Sequence, residues 1–333
     1  MERHYRVLDK VQSRILRMPN VVGVGVGYKQ VGLTRTEKPA IIVFVEKKLP
    51  AAELSRSKKL PKKINGLETD VIEIGRVKLL ERNMKMRPAL PGSSIGHYKI
   101  SAGTFGVIVK DKKSGEKLIL SNNHILANGS NGSDGRANLG DAILQPGPYD
   151  GGRQSDKIAE LVRFVPLIRA AEPSDCPVAA GIANIGNWFI KLVRPAYEMR
   201  FYKYSSTTNI VDCAVAKPIN DELIGEDIVE LGAVSGVGVV QENMWVQKSG
   251  RTTGVTSGHV TAMGVTLKVS LSDEESGWFS DQVVADLFCQ PGDSGSLIID
   301  KENKAVGLLF AGSNSHCIFN RIQNVINLLE IEL

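Results

Sequence analysis

The apolar positions of the first 19 residues recur at helical spacing, and a proline ends the pattern. The residues on the apolar side are Val7, Val11, Ile15 and Met18. Three apolar runs follow, at 21–29, 40–48 and 69–75, and they are typical of strands. A lysine-rich segment between the second and third runs fits a helix or a loop. The pattern predicts a small α/β domain over residues 1–78, ferredoxin-like or propeptide-like in outline.

From residue 95 onward the pattern changes to short β-rich runs separated by Gly, Asn and Asp. They include TFGVIV, KLILSNNH, MWVQKSG, DQVVADLF and AVGLLFAGS. Many short strands with turn signals predict an all-β barrel or sandwich over residues 95–333. Residues 321–333 carry apolar side chains at helical spacing, so we expect a terminal helix that packs on the barrel.

Two segments depart from this pattern. Residues 79–94 are basic and contain proline and glycine, which is typical of a linker. Residues 150–205 form a long insertion, partly helical by its pattern, with large apolar side chains at Trp188, Phe189, Phe201 and Tyr202. These side chains exceed what a surface loop needs. We expect a contact in a homo-oligomer, a lid, or a small local core.

Composition and charge disfavour several classes of partner. The 333 residues include 41 Lys and Arg against 36 Asp and Glu, and the lysine clusters between Glu46 and Lys63 lack aromatic neighbours, so we expect no nucleic acid. No run approaches the ~20 apolar residues of a membrane span, and the charged N-terminus is not a secretory signal. We therefore expect no membrane partner and a cytoplasmic location.

Cofactor motifs are also missing from the sequence. The four cysteines have no CxxC spacing, which favours free thiols over a disulfide framework or a metal site. The closely spaced Gly23, Gly25 and Gly27 do not form GxGxxG before a helix, so they indicate a closely packed strand instead of a nucleotide site. We expect no cofactor and no metal.

The stretch CQPGDSGSLIID, residues 289–300, enters an apolar strand through Gly-Asp-Ser-Gly. It is either a tight turn or the position of a nucleophile, Ser294, which would need a base to take its proton. His124 ends the run KLILSNNH, and Asp212 lies in NIVDCAVA, where a buried carboxylate requires a donor. Each residue singly has a structural explanation. Their order, His then Asp then Ser, favours a catalytic triad in the chymotrypsin order.

These motifs carry a resemblance to a known family. GDSGS followed by AVGLLFAGS resembles the nucleophile turn and substrate-binding strand of chymotrypsin-fold serine proteases. VQKSGRTTGVTSGHV, residues 246–260, resembles the α-lytic protease and streptogrisin type. LSNNHILAN is similar to a group of cytoplasmic trypsin-like proteins that includes the plant narrow-leaf protease. The resemblance covers residues 95–333, weakly in the insertion, and implies a chymotrypsin-like double β-barrel.

The resemblance implies a role for each matching residue. His124 is the general base, Asp212 orients it, and Ser294 is the nucleophile. The backbone N–H groups of Gly292 and Ser294 form the oxyanion hole. The strand that pairs with the substrate backbone contains Phe310, Ala311 and Gly312.

Other positions depart from the family. Gln247 and Ser257 stand where secreted relatives carry the two halves of a disulfide, which fits a reducing compartment. Cys289 and Cys317 fall near the expected pocket wall and base. Phe288 occupies the position where an acidic residue would select Arg or Lys. We therefore expect small or medium apolar side chains at the cleavage position.

The resemblance also implies an ion pair behind the nucleophile. Lys248 aligns with an arginine of the α-lytic relatives, so we expect a largely buried pair with Asp293 that holds the turn. The alternative is that Asp293 is met by backbone amides or by Arg251.

The leading hypothesis is a serine endopeptidase that hydrolyses protein or peptide substrates through an acyl-enzyme. A second hypothesis is a regulatory or scaffold protein that binds peptides on a protease fold with little turnover. An esterase or other acyl hydrolase would share the same site. The N-terminal domain is expected to remain attached and to gate access or mediate assembly, with a removable pro-region as the alternative.

Overall fold

The computed structural model describes residues 2–31, 34–50, 59–75, 82–99, 102–313 and 315–333. The chain divides into two compact units, Met1–Leu80 and Glu81–Leu333.

The first unit is a four-stranded sheet with one helix packed on it. Its elements are α1 (Glu2–Leu16), β1 (Val21–Val31), β2 (Thr34–Val45), β3 (Lys63–Ile64) and β4 (Leu67–Glu73). The strand order is β1-β2-β4-β3, with β2 and β4 parallel. Leu8, Val11 and Ile15 of α1 are buried in one cluster with apolar residues of β2. The predicted helix and strands are confirmed, whereas residues 51–58 of the lysine-rich segment lie outside the described residues.

The second unit begins with an eight-stranded, curled sheet. Its strands are β5 (Ser94–His97), β6 (Gly103–Thr104), β7 (Val107–Asp111), β8 (Lys117–Ser121), β9 (Ala142–Leu144), β10 (Lys157–Phe164), β13 (Ala214–Pro218) and β21 (Ile331–Glu332). They follow the order β21-β7-β8-β13-β10-β9-β5-β6. A single helical turn, α2 (Asn123–Leu126), follows β8.

The second sheet of this unit closes into a barrel. Its strands are β14 (Gly236–Val237), β15 (Trp245–Gly250), β16 (Gly254–Ser270), β17 (Ser276–Ala285), β18 (Leu297–Ile299), β19 (Lys304–Gly312) and β20 (Cys317–Arg321). The order is β14-β19-β18-β15-β16-β17-β20, and a further pairing of β19 with β20 completes the ring. Closure removes the exposed edges that an open sheet would leave.

A helix at the C-terminus packs into the core that the two sheets share. Ile322, Val325 and Leu329 of α4 (Ile322–Leu329) are fully buried in a cluster with Leu120 of the first sheet and Leu308 of the second. The predicted fold class is confirmed: an all-β, chymotrypsin-like double barrel with a C-terminal helix, preceded in the chain by a small α/β unit. No helix among the described ranges is both long and apolar enough to cross a bilayer.

The predicted linker is packed where the structure describes it. Residues 79–81 lie outside the described residues, but residues 82–94 belong to the second unit. Ala89, Ser93 and Ser94 are fully buried, and Ala89 exchanges backbone hydrogen bonds with the 223–225 segment. Residues 82–94 are therefore an entry segment that packs on the barrel. Their proline, glycine and basic residues are also typical of a linker, so composition alone did not distinguish the two.

The insertion is shorter than its sequence pattern indicated. Residues 157–164 form β10, whose apolar side chains lie in the core of the first sheet. The excursion comprises a two-stranded arm, β11 (Ala171–Pro173) and β12 (Tyr202–Tyr204), with α3 (Pro177–Val193) between them. None of the α3 residues is buried. The large side chains at Trp188 and Phe189 are therefore exposed and do not form a local core.

Candidate active site

A cleft of about 820 Å³ in the second unit brings together residues of the second sheet and residues that adjoin strands β8 and β13 of the first. We call it the active-site cleft. Its lining includes the three residues predicted as a triad and most of the predicted substrate wall: His124, Asp212, Ser294, Cys289, Phe310, Ala311 and Gly312. Residues 267–271 of β16 and its following turn form another wall.

His124 is held at the cleft by the two asparagines that precede it. Asn122 Nδ2 donates to the Asp212 carbonyl at 2.7 Å. Asn123 Nδ2 donates to the carbonyls of Ser130 (3.0 Å) and Val165 (2.7 Å). These buried amides fix the short turn that follows β8, so the chain places the imidazole at the sheet edge.

His124 and Asp212 are in direct contact. The distance from His124 Nδ1 to Asp212 Oδ2 is 2.5 Å, and the His124 backbone N–H donates to Asp212 Oδ1 at 3.2 Å. The Asp212 side chain is 1% exposed, and Asn320 Oδ1 accepts from its backbone N–H at 3.0 Å. A buried carboxylate in this position selects the imidazole tautomer that carries its proton on Nδ1. Nε2 is then left as the proton acceptor.

Ser294 lies in the same cleft but is not bonded to His124. Its Oγ donates to the carbonyl oxygen of Phe310 at 3.2 Å, and no hydrogen bond joins it to the imidazole within the described part of the chain. The structure thus pairs two of the three predicted triad residues directly.

Gly292, Asp293 and Ser294 form a turn, which we call the oxyanion turn. The N–H groups of Gly292 and Ser294 donate to no acceptor among the described residues, while the Asp293 N–H bonds the Gln290 carbonyl at 3.0 Å. Gly292 has φ 99°, and its carbonyl accepts from Thr104 Oγ1 at 2.9 Å. A side chain at Gly292 would be strained by this φ value and would overlap neighbouring side chains. Within the described residues, the two N–H groups that flank Asp293 therefore have no acceptor.

The Asp293 carboxylate is fully buried beneath the oxyanion turn and accepts four hydrogen bonds. The donors are the backbone N–H groups of Thr252 (2.9 Å), Thr253 (3.0 Å) and Gln290 (2.9 Å), together with Thr253 Oγ1 (2.6 Å). The sequence analysis included Thr252 and Thr253 only as part of the GRTTG motif and predicted no contact for either residue. Their role depends on the fold, which places this loop beside Asp293.

Lys248 approaches Asp293 from the other side. Its Nζ lies 3.3 Å from Asp293 Oδ2, with both side chains at most 1% exposed. The ammonium also donates to Thr253 Oγ1 and to the Gly254 carbonyl at 3.0 Å. Burial lowers the pKa of Lys248, and the Asp293 carboxylate opposes this effect. Both partners that were considered for Asp293, a lysine and backbone amides, are present together.

Arg251, the other cation considered for Asp293, pairs elsewhere. Its Nε donates to Asp150 Oδ2 at 2.7 Å, and Nη2 contacts the second carboxylate oxygen. Ser94 Oγ donates to the same carboxylate at 2.5 Å. The pairing raises the pKa of Arg251. The sequence contained no signal for Asp150, since it lies about 100 residues from Arg251 in a loop.

The residues predicted for the substrate wall line the cleft with one exception. Cys289 lines the cleft, but Cys317 is fully buried behind it and is not part of the lining. A Cβ on Gly312 would overlap Cys289 Sγ, so only glycine leaves room beside this thiol. Burial raises the pKa of both thiols. Phe288, about half exposed, stands at the opening.

The two positions at which the secreted relatives were expected to carry a disulfide face each other in this chain. Gln247 of β15 and Ser257 of β16 are directly opposed in the strand register. All four cysteines are free, with Cys176 exposed and the other three buried. Within the described ranges, no group of three or more His, Cys, Asp or Glu side chains could hold a metal ion.

Comparisons with known proteins give one family match and a set of similar folds. Residues 7–74 match the family model described as the NARROW LEAF 1 N-terminal domain. No curated protein sequence matches the chain significantly.

Similar solved structures include Thermobifida fusca protease A, with 13% identity and a TM-score of 0.46, and Nocardiopsis protease, with 15% identity and a TM-score of 0.44. Both matches cover 73% of this chain and 97% of the other. A glutamic acid-specific serine protease is similar at 17% identity and a TM-score of 0.45, covering 73% of this chain and 99% of its own. The expected resemblance to the narrow-leaf group is confirmed through its N-terminal domain over residues 7–74, and the solved structures show a similarity of fold alone.

Proposed function

We propose that the protein is a serine endopeptidase that cleaves peptide bonds through an acyl-enzyme. The observation that carries the proposal is the contact between His124 and the buried Asp212, in a cleft that also holds Ser294. Two backbone N–H groups beside Ser294 have no acceptor among the described residues. A nucleophile, a base, an orienting carboxylate and an oxyanion site are the four parts that acyl transfer requires.

The proposed reaction begins with a side-chain rotation. Ser294 Oγ leaves the Phe310 carbonyl and turns toward His124 Nε2, which accepts its proton as Oγ attacks the substrate carbonyl carbon. The negative oxygen of the tetrahedral intermediate accepts hydrogen bonds from Gly292 N–H and Ser294 N–H. One such donor contributes about 3 kcal/mol to lowering the barrier. His124 then protonates the leaving amine. In the second half of the reaction His124 takes a proton from water as the water attacks the ester, and returns it to Ser294 Oγ as the acid product leaves.

The proposed substrate preference follows from the pocket wall. Phe288, Cys289 and Gly312 give the cleft an uncharged wall beside the oxyanion turn, whereas the charged Lys268 belongs to β16. An uncharged wall disfavours a charged side chain because the charge would be desolvated without a partner. We propose that small or medium apolar side chains precede the scissile bond.

Labelling with a fluorophosphonate tests the proposal. We expect the wild-type protein to be labelled and to cleave peptides with Ala or Val before the scissile bond faster than peptides with Lys or Glu there. Ser294→Ala should abolish both labelling and cleavage, whereas Ser257→Ala, at an exposed position outside the cleft, should preserve both. A Ser294→Ala protein that still takes the label would exclude Ser294 as the nucleophile.

One observation favours the second candidate, a regulatory peptide-binding protein with little turnover. The bond from Ser294 Oγ to the Phe310 carbonyl keeps the hydroxyl away from His124. The same labelling experiment separates the two candidates. A wild-type protein that binds peptides in the cleft but takes no label would favour the regulatory role.

We also propose that α3 pairs with α3 of a second copy of the chain. Five apolar side chains on one stripe are each at least 52% exposed: Val178, Ile182, Ile185, Phe189 and Leu192. Their 4-3-4-3 spacing is that of a coiled-coil seam. Lys191 is the one charged residue of α3 and lies away from the stripe, so two identical helices would meet without charge repulsion.

Sedimentation of helix variants tests this contact. We expect the wild-type protein to sediment as a dimer or larger, and Ile185→Glu/Phe189→Glu to sediment as a monomer. Leu139→Glu, a matched change at an exposed apolar residue outside α3, should keep the wild-type state. A monomeric wild-type protein would contradict the pairing, and binding of that monomer to lipid vesicles would assign the stripe to a membrane surface.

A further inference from the structure

Arg82 is a buried arginine that the proposed reaction does not use. Its side chain is 7% exposed, Nη1 donates to Ser249 Oγ and, at 3.4 Å, to the Gly250 carbonyl. Nη2 lies 3.1 Å from Glu230 Oε1. The backbone carbonyl of Arg82 accepts from Ser94 N–H at 2.7 Å. Both the main chain and the side chain of this residue are therefore held within the second unit.

The guanidinium is close to both ends of the turn that joins β15 to β16. Gly250 ends β15, and its carbonyl is bonded to Arg82. Gly254 begins β16, and a Cβ there would lie 3.7 Å from the guanidinium. On its other side, Gly250 is packed so closely on Asp293 that a Cβ would overlap the carboxylate. The residues between the two glycines, 251–253, include the donors that hold Asp293.

We propose that Arg82 is a positioning residue for the oxyanion turn. It fixes the two ends of the β15–β16 turn, and that turn presents Thr252 and Thr253 to Asp293. With Asp293 held, the two free N–H groups of the oxyanion turn point toward the same ligand oxygen. The catalytic consequence rests on the proposed function, whereas the structural part of the inference does not.

A lysine cannot substitute fully for Arg82. The guanidinium spreads its donors over a planar fork and reaches Ser249, Gly250 and Glu230 together, whereas an ammonium is a point charge. The segment that precedes the barrel thus supplies a residue that holds the β15–β16 turn. A chain cut after Arg82 would lose the covalent connection between this residue and the barrel.

Two measurements on the full chain test the inference. Hydrogen exchange reports the order of residues 250–254, and steady-state kinetics with a peptide substrate report catalysis. In Arg82→Gln we expect exchange at the Thr252 and Thr253 amides to rise by about 10-fold or more, with exchange in α4 unchanged. We expect kcat to fall by about 100-fold, the loss typical of one oxyanion donor, with KM nearly unchanged.

Two further variants serve as controls. Arg82→Lys should recover part of kcat, and Arg200→Gln, which removes an exposed arginine of the β11–β12 arm, should match the wild type in both measurements. Unchanged exchange at residues 250–254 in Arg82→Gln would overturn the inference. So would faster exchange that includes α4, since Arg82 would then support the whole unit. If the wild-type protein is inactive, the proposed function fails, while the exchange measurement still decides the role of Arg82.

Discussion

Asp212→Asn is expected to lower kcat/KM for peptide cleavage by about 10⁴-fold while leaving the fold intact. The Asp212 carboxylate accepts a hydrogen bond from His124 Nδ1–H, with 2.5 Å between Nδ1 and Oδ2, and is almost fully buried. An asparagine amide at this place would donate to Nδ1, so the imidazole would carry its proton on Nε2. That tautomer cannot accept the Ser294 proton. Peptide turnover and the rate of fluorophosphonate labelling should fall together.

The chain offers a matched control for this change. His97 Nε2 lies 2.9 Å from Asp141 Oδ2, a second histidine–carboxylate contact that does not line the cleft. Asp141→Asn should therefore leave the labelling rate close to that of the wild type. Turnover by Asp212→Asn within about tenfold of the wild type would show that Asp212 does not set the tautomer of His124.

Lys248→Met is expected to lower the free energy of unfolding by about 3 kcal/mol and to reduce activity as well. Breaking a buried ion pair by removing one partner costs about 3–5 kcal/mol because the other charge remains buried. The lower end applies here because Asp293 keeps four hydrogen bonds from backbone amides and Thr253. Denaturant unfolding measures the loss, and active-site titration measures the fraction of protein with a functional oxyanion turn.

An exposed lysine pair provides the comparison. Lys217 Nζ lies 2.6 Å from Glu116, with both side chains half exposed, so Lys217→Met should cost less than about 1 kcal/mol. Adding Asp293→Asn to Lys248→Met should return part of the lost stability, since no charge would then stay unpaired. Full stability and full activity in Lys248→Met alone would refute the role of the ion pair.

Much of the fold could be predicted from local patterns. Helical spacing located α1 and α4, and alternating apolar runs located most strands of both sheets. The extent of the 150–205 insertion could not be predicted because charged residues are spread along β10, at Lys157, Glu160 and Arg163, and the strand joins the sheet through partners in β9 and β13. The packing of residues 82–94 was missed for a related reason. Proline, glycine and basic residues are typical of linkers. The burial of these residues depends on contacts with strands far along the chain, which a local pattern does not show.

The candidate site also has a part that the sequence predicted and a part that it did not. The motifs around His124, Asp212 and Ser294 indicated a triad by type and chain order, and the structure brings them to one cleft. Their catalytic roles stay a prediction. The rotamer of Ser294, bonded to Phe310 instead of His124, could not be predicted because it depends on the local geometry of β19 and the oxyanion turn.

The sequence by itself determined the β-rich architecture, the glycine-bounded turn at Ser294 and the identity of the candidate triad, because strands and turns depend on residues that are neighbours in the chain. The tertiary structure alone decided the charge pairs that no motif indicated. Arg82 contacts Ser249 across 167 positions, and Arg251 pairs with Asp150 across 101. A buried charge is stable only beside a partner, and which partner lies within reach is set by how the two sheets close and pack.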